Sequence, residues 1–347
     1  MLDDIKEIKR IDTQDMAKAI GSFPDQIEKA MELAEDVELE FFKPSNIIVG
    51  GMGGSAIGGD ILATLLFRRS RIPIMVNRSY NLPNHAGSDT LLFAVSYSGN
   101  TQETYNMVKE GLDRGCHIIA ITSGGQLAKL ASRKDVPMVK VPSGYQPRAA
   151  IGFLFIPILI ILKRMGLYDP DVELHEAICQ LKDMRDELAL EVPEERNLAK
   201  STAIQLKDSM PVIYSHTIYS SIARRWHTQI HENSKAMAWW GVLPEVNHNE
   251  IVGMCEDRKS KDIKLVLIRD DQEDPKISSN VEAFKAVLKD KVEIIEICSK
   301  GRTYLARMLY AMYLGDWVSY YLALAEGKDP TPVDAIRKMK EVLAKKK

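Results

Sequence analysis

The sequence predicts an α/β protein of two doubly wound units, each with a central parallel sheet, plus helices at both termini. Three observations carry this. Short apolar, β-branched runs alternate with helix-compatible stretches along most of the chain. Several of those runs stop abruptly at glycines and hydroxyl residues, as strands do at the carboxyl edge of a parallel sheet. At 347 residues the chain also exceeds what one small core organises.

Taken in order, residues 1–40 read as an amphipathic helical segment. Ile47–Val49 is a strand that runs into a glycine loop, followed by a helix to about Phe67. Ile72–Val76 and Leu91–Val95 are further strands, and residues 117–121 (His-Ile-Ile-Ala-Ile) are a fourth. Met138–Val141 is a short fifth, and Arg148–Gly166 an apolar helix. These define a first unit over 41–166. Residues 167–200 are polar and helical and read as a linker. The rhythm resumes over 201–330: strand Val212–Tyr214, helix Ile218 to about Ala236, strand Lys264–Ile268, helix Val281–Leu288, strand Val292–Ile297 and a long helix Tyr304–Ala325. Thr331-Pro332 then opens a terminal helix over 331–347, with Thr at the N-cap and Pro at the first helical position.

Composition narrows the function classes. The chain is 45% hydrophobic and 27% charged, with a formal net charge of -2. That is ordinary for a soluble protein and gives no electrostatic case for nucleic acid or an anionic membrane. The charged start lacks a signal-peptide pattern, and the apolar run Ala149–Leu162 is too short for a span. Cys116, Cys179, Cys255 and Cys298 are scattered without a Cys-x-x-Cys pair, which points to a reducing cytoplasm.

The most informative stretch is Leu91–Thr104. Its strand ends in Ser96, Ser98 and Thr101, three hydroxyls with a glycine at the start of a helix. Unpaired N–H groups and the positive end of the helix dipole make such a place suit a phosphate. An ordinary N-cap is the plainer reading. Gly51-Met52-Gly53-Gly54-Ser55-Ala56 also fits the dinucleotide fingerprint between strand and helix. The next strand then ends in Asn77-Arg78 rather than an acid, which would favour a 2′-phosphate and an NADPH-dependent reductase. Glycines that only let helix and strand pack closely are the third reading.

The two loops together, Gly51–Ser55 and Ser96–Thr101, resemble the sugar-isomerase (SIS) domain family, whose paired loops hold a phosphosugar. Pro147-Arg148-Ala149-Ala150, His231-Glu232-Asn233-Ser234-Lys235 and Leu243–Asn249 extend the likeness to the bifunctional phosphoglucose/phosphomannose isomerase family. Thr331-Pro332, with Ile336, Met339 and Lys340, completes it. The resemblance implies two SIS-type domains, a hexose 6-phosphate substrate, and interconversion of glucose and mannose 6-phosphates with fructose 6-phosphate, without a cofactor or a metal.

The resemblance also distributes roles. Gly54, Ser55, Ser96, Ser98 and Thr101 would anchor the phosphate. Glu232 would be the base moving a proton between C1 and C2, a task helped by desolvation in a closed pocket. Arg148 would sit near the enediolate oxygens. His248 would open the sugar ring from the neighbouring subunit, so the enzyme would be a homodimer, and Lys340 would assist. Thr331 would leave room at C2, where glucose and mannose differ. A phosphosugar-binding regulator without catalysis is the rival from another class. His227 and His231 share a helical spacing that can hold zinc, but no third ligand is evident in the sequence.

Overall fold

The computed structural model describes residues 2–345, so the ends of the segments assigned to 1–40 and 331–347 lie outside the described residues. Three helices open the chain: α1 (Ile5–Ile11), α2 (Met16–Gly21) and α3 (Phe23–Glu35). The first unit follows as β1 (Asn46–Gly50), α4 (Ile57–Leu66), β2 (Ile74–Asn77), β3 (Thr90–Val95), α5 (Gln102–Asp113), β4 (His117–Thr122), α6 (Gly125–Arg133), β5 (Met138–Lys140) and α7 (Ile151–Arg164). Next come α8 (Asp171–Glu187) and α9 (Leu198–Leu206). The second unit is β6 (Met210–His216), α10 (Ser220–Gln229), β7 (Trp239–Leu243), α11 (Glu250–Glu256), β8 (Ile263–Asp270), α12 (Pro275–Leu288), β9 (Glu293–Ser299) and α13 (Tyr304–Ala325). The last described helix is α14 (Asp334–Ala344).

Both sheets are wholly parallel among the described residues. The first has the order β2-β1-β3-β4-β5 and the second β7-β6-β8-β9. Each first strand therefore lies between its next two, and the chain reverses its winding there. This is the flavodoxin-like order, in which ligands bind outside the carboxyl ends of the strands at the switch point. All six residues of β3 are buried, as expected for a strand covered by helices on both faces.

Three apolar clusters hold the molecule. Ile48, Leu92 and Ala94 pack outward on Met107, Val108 and Leu127 of α5 and α6. Tyr214, Leu265 and Leu267 do the same on Val281 and Phe284 of α12. The largest cluster lies between the sheets and joins both units with α3, α7, α8 and α13. In α13, 21 residues are buried, which explains why that helix is apolar all round. No described helix is long and apolar enough to cross a membrane.

Several boundaries differ from the sequence reading. Strand β7 was not foreseen, and α12 begins six residues earlier than Val281, at Pro275, with the Asp274 carboxylate accepting from Lys276 N. The helix drawn from Arg148 begins only at Ile151, and Arg148 lies in a 3-10 turn, Pro147–Ala149. The helix drawn to Ala236 ends at Gln229 and widens into a π turn, Ile230–Ser234. Thr331 is not the cap of the last helix. Its hydroxyl makes no capping bond, its N–H donates to Asp329 Oδ1 and its carbonyl accepts from Arg148, and α14 begins three residues later.

Candidate active site

The switch point of the first sheet brings the carboxyl ends of β1 and β3 side by side, and with them the two loops singled out in the sequence. Glycine at 54 allows a close approach, since a Cβ there would sit 3.1 Å from the Arg148 backbone nitrogen and Cα. Gly99 adopts φ +64°, and a Cβ would lie 1.7 Å from the Gly124 carbonyl oxygen. Ser55 is buried, and its Oγ accepts from Tyr97 N at 3.2 Å, tying one loop to the other. Ser96 is buried and donates to Thr101 Oγ1 at 3.0 Å, whereas Ser98 is exposed and its Oγ accepts from Asn100 N. Thr101 occupies the cap position of α5, yet its side chain makes no capping bond. The plain reading of Thr101 as an N-cap therefore fails.

The same geometry disposes of the dinucleotide reading. The sheet order is not 3-2-1-4, and Arg78 is engaged with Asp60 of α4, which also pairs with Arg224 at 3.4 Å. No guanidinium is left at the end of β2 for a 2′-phosphate.

Arg148 is the hub. It is 2% exposed, and each arm of its guanidinium is committed. Nε donates to Asn233 Oδ1 at 2.6 Å, Nη2 to the Pro330 and Thr331 carbonyls at 2.8 Å each, and Nη1 to Glu232 Oε2 at 3.4 Å. Burial pushes this guanidinium below its ordinary value, with the Glu232 carboxylate opposing. Glu232 rides on the π turn at the end of α10 and keeps a partly exposed side chain. Thr331 is buried, and its hydroxyl has no hydrogen-bond partner. A buried hydroxyl without a partner costs free energy, which a substrate hydroxyl would recover.

The structure thus assembles Gly54, Ser55, Ser96, Ser98, Thr101, Arg148, Glu232 and Thr331 into one linked region. It does not bring His248 or Lys340 to it. His248 is exposed on the turn after β7, and it makes no hydrogen bond or ion pair among the described residues. Glu232 lies at the amino end of that strand, where His231 Nε2 meets the Ala238 backbone. A strand of this length separates its ends by roughly 13 Å, so His248 and Glu232 of one chain face different places. Lys340 is exposed on α14.

His227 and His231 do stack edge to face, 4.6 Å between ring centres. Burial, then His231 and Arg224, push the His227 imidazole down to about 4. No group of three or more His, Cys, Asp or Glu among the described residues is arranged to hold a metal.

The sequence reading missed the scaffold behind the hub. Arg225 and Asp316, both buried, form a two-pronged ion pair at 3.0 and 2.7 Å, and Gln229 Nε2 donates to Asp316 Oδ1. Arg225 Nη2 also donates to the Arg148 carbonyl at 2.7 Å and so fixes that backbone. Asn233 Nδ2 donates to Ser319 Oγ, which ties the Glu232 turn to α13. The available signal was a lone acid, Asp316, inside a helix that is mostly apolar.

Comparison with known proteins finds relatives along most of the chain. Residues 40–139 match the SIS domain model, and residues 195–343 match the bacterial phospho-glucose isomerase C-terminal SIS domain model. A bifunctional phosphoglucose/phosphomannose isomerase of Caldicellulosiruptor bescii is 39% identical, covering 95% of this chain and 99% of its own. One from Aquifex aeolicus is 34% identical, covering 96% and 99%. A crystal structure of a hypothetical protein from Thermus thermophilus shares the fold, with a TM-score of 0.77 at 15% identity over 98% of this chain and 93% of its own.

Proposed function

The chain belongs to the bifunctional phosphoglucose/phosphomannose isomerase family, and on that premise we propose that it interconverts glucose 6-phosphate and mannose 6-phosphate with fructose 6-phosphate. One observation carries the reading. The Glu232 carboxylate lies 3.4 Å from a buried guanidinium whose own backbone is in contact with the phosphate loop at Gly54. Base, electrophile and phosphate anchor are therefore held as one rigid unit.

In this reading the 6-phosphate sits on the Ser55, Ser96, Ser98 and Thr101 hydroxyls and the α5 N-terminus. Glu232 takes the C2 proton of the open-chain aldose and returns it to C1, while the proton on O2 passes to O1 so that the carbonyl moves from C1 to C2. The Arg148 guanidinium stabilises charge on the enediolate oxygens. No step calls on a cofactor. Incubation with either aldose phosphate is expected to yield fructose 6-phosphate. Binding of both without turnover would favour a regulator instead.

The separation of His248 from Glu232 supports a homodimer in which each chain lends His248 to its neighbour's ring-opening step. Exposed Met237 and Trp239, beside the edge strand β7 and the Glu232 turn, offer apolar surface for a second copy. Lys340 would enter a site when α14 packs its exposed Ile336, Met339 and Leu343 against the pocket rim. Mixing Glu232→Gln and His248→Gln subunits, each inactive alone, is expected to restore about a quarter of wild-type activity. Mixtures that stay inactive after subunit exchange would place His248 elsewhere. Hexose 6-phosphate turnover and free thiols also suit a cytoplasmic location.

In this reading Thr331 faces the C2 substituent of the sugar, and its backbone is held by Arg148 and Asp329. Thr331→Gln fills that space. It is expected to lower kcat/KM for mannose 6-phosphate about tenfold more than for glucose 6-phosphate. Equal losses on the two epimers would remove Thr331 from substrate discrimination.

A further inference from the structure

Lys235 closes the π turn that carries Glu232, and its backbone is left-handed at φ 54°, ψ 29°. A non-glycine residue persists there only when its surroundings fix it. The fixing contacts are unusual. The lysine stem is exposed, but Nζ turns back to donate to the Glu232 and Asn233 carbonyls at 3.0 Å each and to the Pro330 carbonyl at 2.7 Å. Arg148 Nη2 donates to that same Pro330 oxygen at 2.8 Å. Two cations from different parts of the chain thus converge on one carbonyl, between the turn bearing the base and the segment bearing Thr331.

We propose that Lys235 is a positioning residue for the isomerisation, its ammonium locking the Glu232 turn to the Pro330–Thr331 segment so that the base keeps its place relative to C1 and C2. The proposal rests on the isomerase reading above. An ammonium has three N–H donors and three carbonyls take them, whereas a neutral amine has two donors and no charge. Burial and the facing Arg148 push the Lys235 ammonium down to about 8, with Asp329 and Glu232 opposing and Lys328 adding to the fall. The lock should therefore open on the alkaline side of neutrality, and kcat should decline there while the phosphate anchor still binds.

The experiment compares wild type, Lys235→Met and Lys235→Arg in fructose 6-phosphate formation from about pH 6 to about pH 10. Lys235→Met keeps the stem without a donor and is expected to lose about tenfold in kcat at neutral pH, with KM within about twofold. Its alkaline decline near 8 should disappear. Lys235→Arg carries a charge that does not titrate in this range and is expected to recover part of the activity and hold it at high pH. A kcat for Lys235→Met within about twofold of wild type, or an alkaline decline that survives in both variants, overturns the proposal. A loss confined to KM overturns it too, since it would make Lys235 a binding group. If Lys235→Met does not fold, the Lys235→Arg profile decides alone. A wild-type protein that turns over no hexose 6-phosphate fails the isomerase reading itself and removes the proposal with it.

Discussion

Glu232→Gln is expected to reduce kcat about a thousandfold in either direction while leaving hexose 6-phosphate binding nearly unchanged. The amide has the shape of the acid but cannot accept a carbon-bound proton. Arg148 loses only its 3.4 Å contact and keeps Asn233, Pro330 and Thr331, so the hub should remain in place. The phosphate loops form no hydrogen bond with Glu232, which is why affinity should survive. Direct titration with fructose 6-phosphate, beside steady-state kinetics, separates the two quantities. A loss smaller than about tenfold would mean that another group moves the proton.

Asp316→Asn is expected to have the largest effect on stability. Asp316 is buried among apolar residues of α13, and burial raises its carboxyl above the ordinary range even against the Arg225 and Gln229 donors. Neutralising it leaves the Arg225 guanidinium buried without a counter-charge, a change that costs about 3–5 kcal/mol in comparable sites. For a protein of this size the melting temperature should fall by roughly 4–7 °C. Arg225 also holds the Arg148 carbonyl, so kcat should drop in the surviving folded protein at temperatures well below that midpoint. Scanning calorimetry and kinetics at low temperature check both halves. An unchanged melting temperature would show that the pair is not the support described here.

The parallel architecture was legible because strand ends and loops carry strong local chemistry. β3 and the Ser96–Thr101 loop stand in the sequence almost as they stand in the fold, and so does α13. What local pattern could not resolve was competition for the same backbone groups. Asp274-Pro275 and Thr331-Pro332 carry the same cap-and-proline signal. The first starts a helix and the second does not; there Arg148, 183 residues away, takes the Thr331 carbonyl. β7 escaped notice for a related reason. It is a five-residue edge strand with Gly241 inside it and Pro244 just after, features that argue against a strand when read alone. Gly241 is required there because a Cβ would lie 2.6 Å from the Tyr214 ring.

The site divides along the same line. The Ser96–Thr101 loop is contiguous in sequence and could be read as a candidate phosphate cradle from residue types alone, whereas Gly54 and Ser55 entered through family resemblance. Glu232, Arg148 and Thr331 are brought together only by the tertiary fold, and they were found through family resemblance. Arg225, Asn233 and Lys235 act through backbone carbonyls and amides, which leave little trace in local sequence.

The central claim is that Glu232 carries one proton between C1 and C2 of a hexose 6-phosphate. Conversion of fructose 6-phosphate in deuterium oxide, followed by proton NMR of the aldose products, tests it most directly. Deuterium at C2 of part of the glucose 6-phosphate and mannose 6-phosphate, from turnovers in which the proton on Glu232 exchanges with solvent before its return, lost together with turnover in Glu232→Gln, is the predicted result. Aldose phosphates that keep forming in Glu232→Gln at a rate within about tenfold of wild type, or no aldose phosphate at all from the wild type, would contradict it.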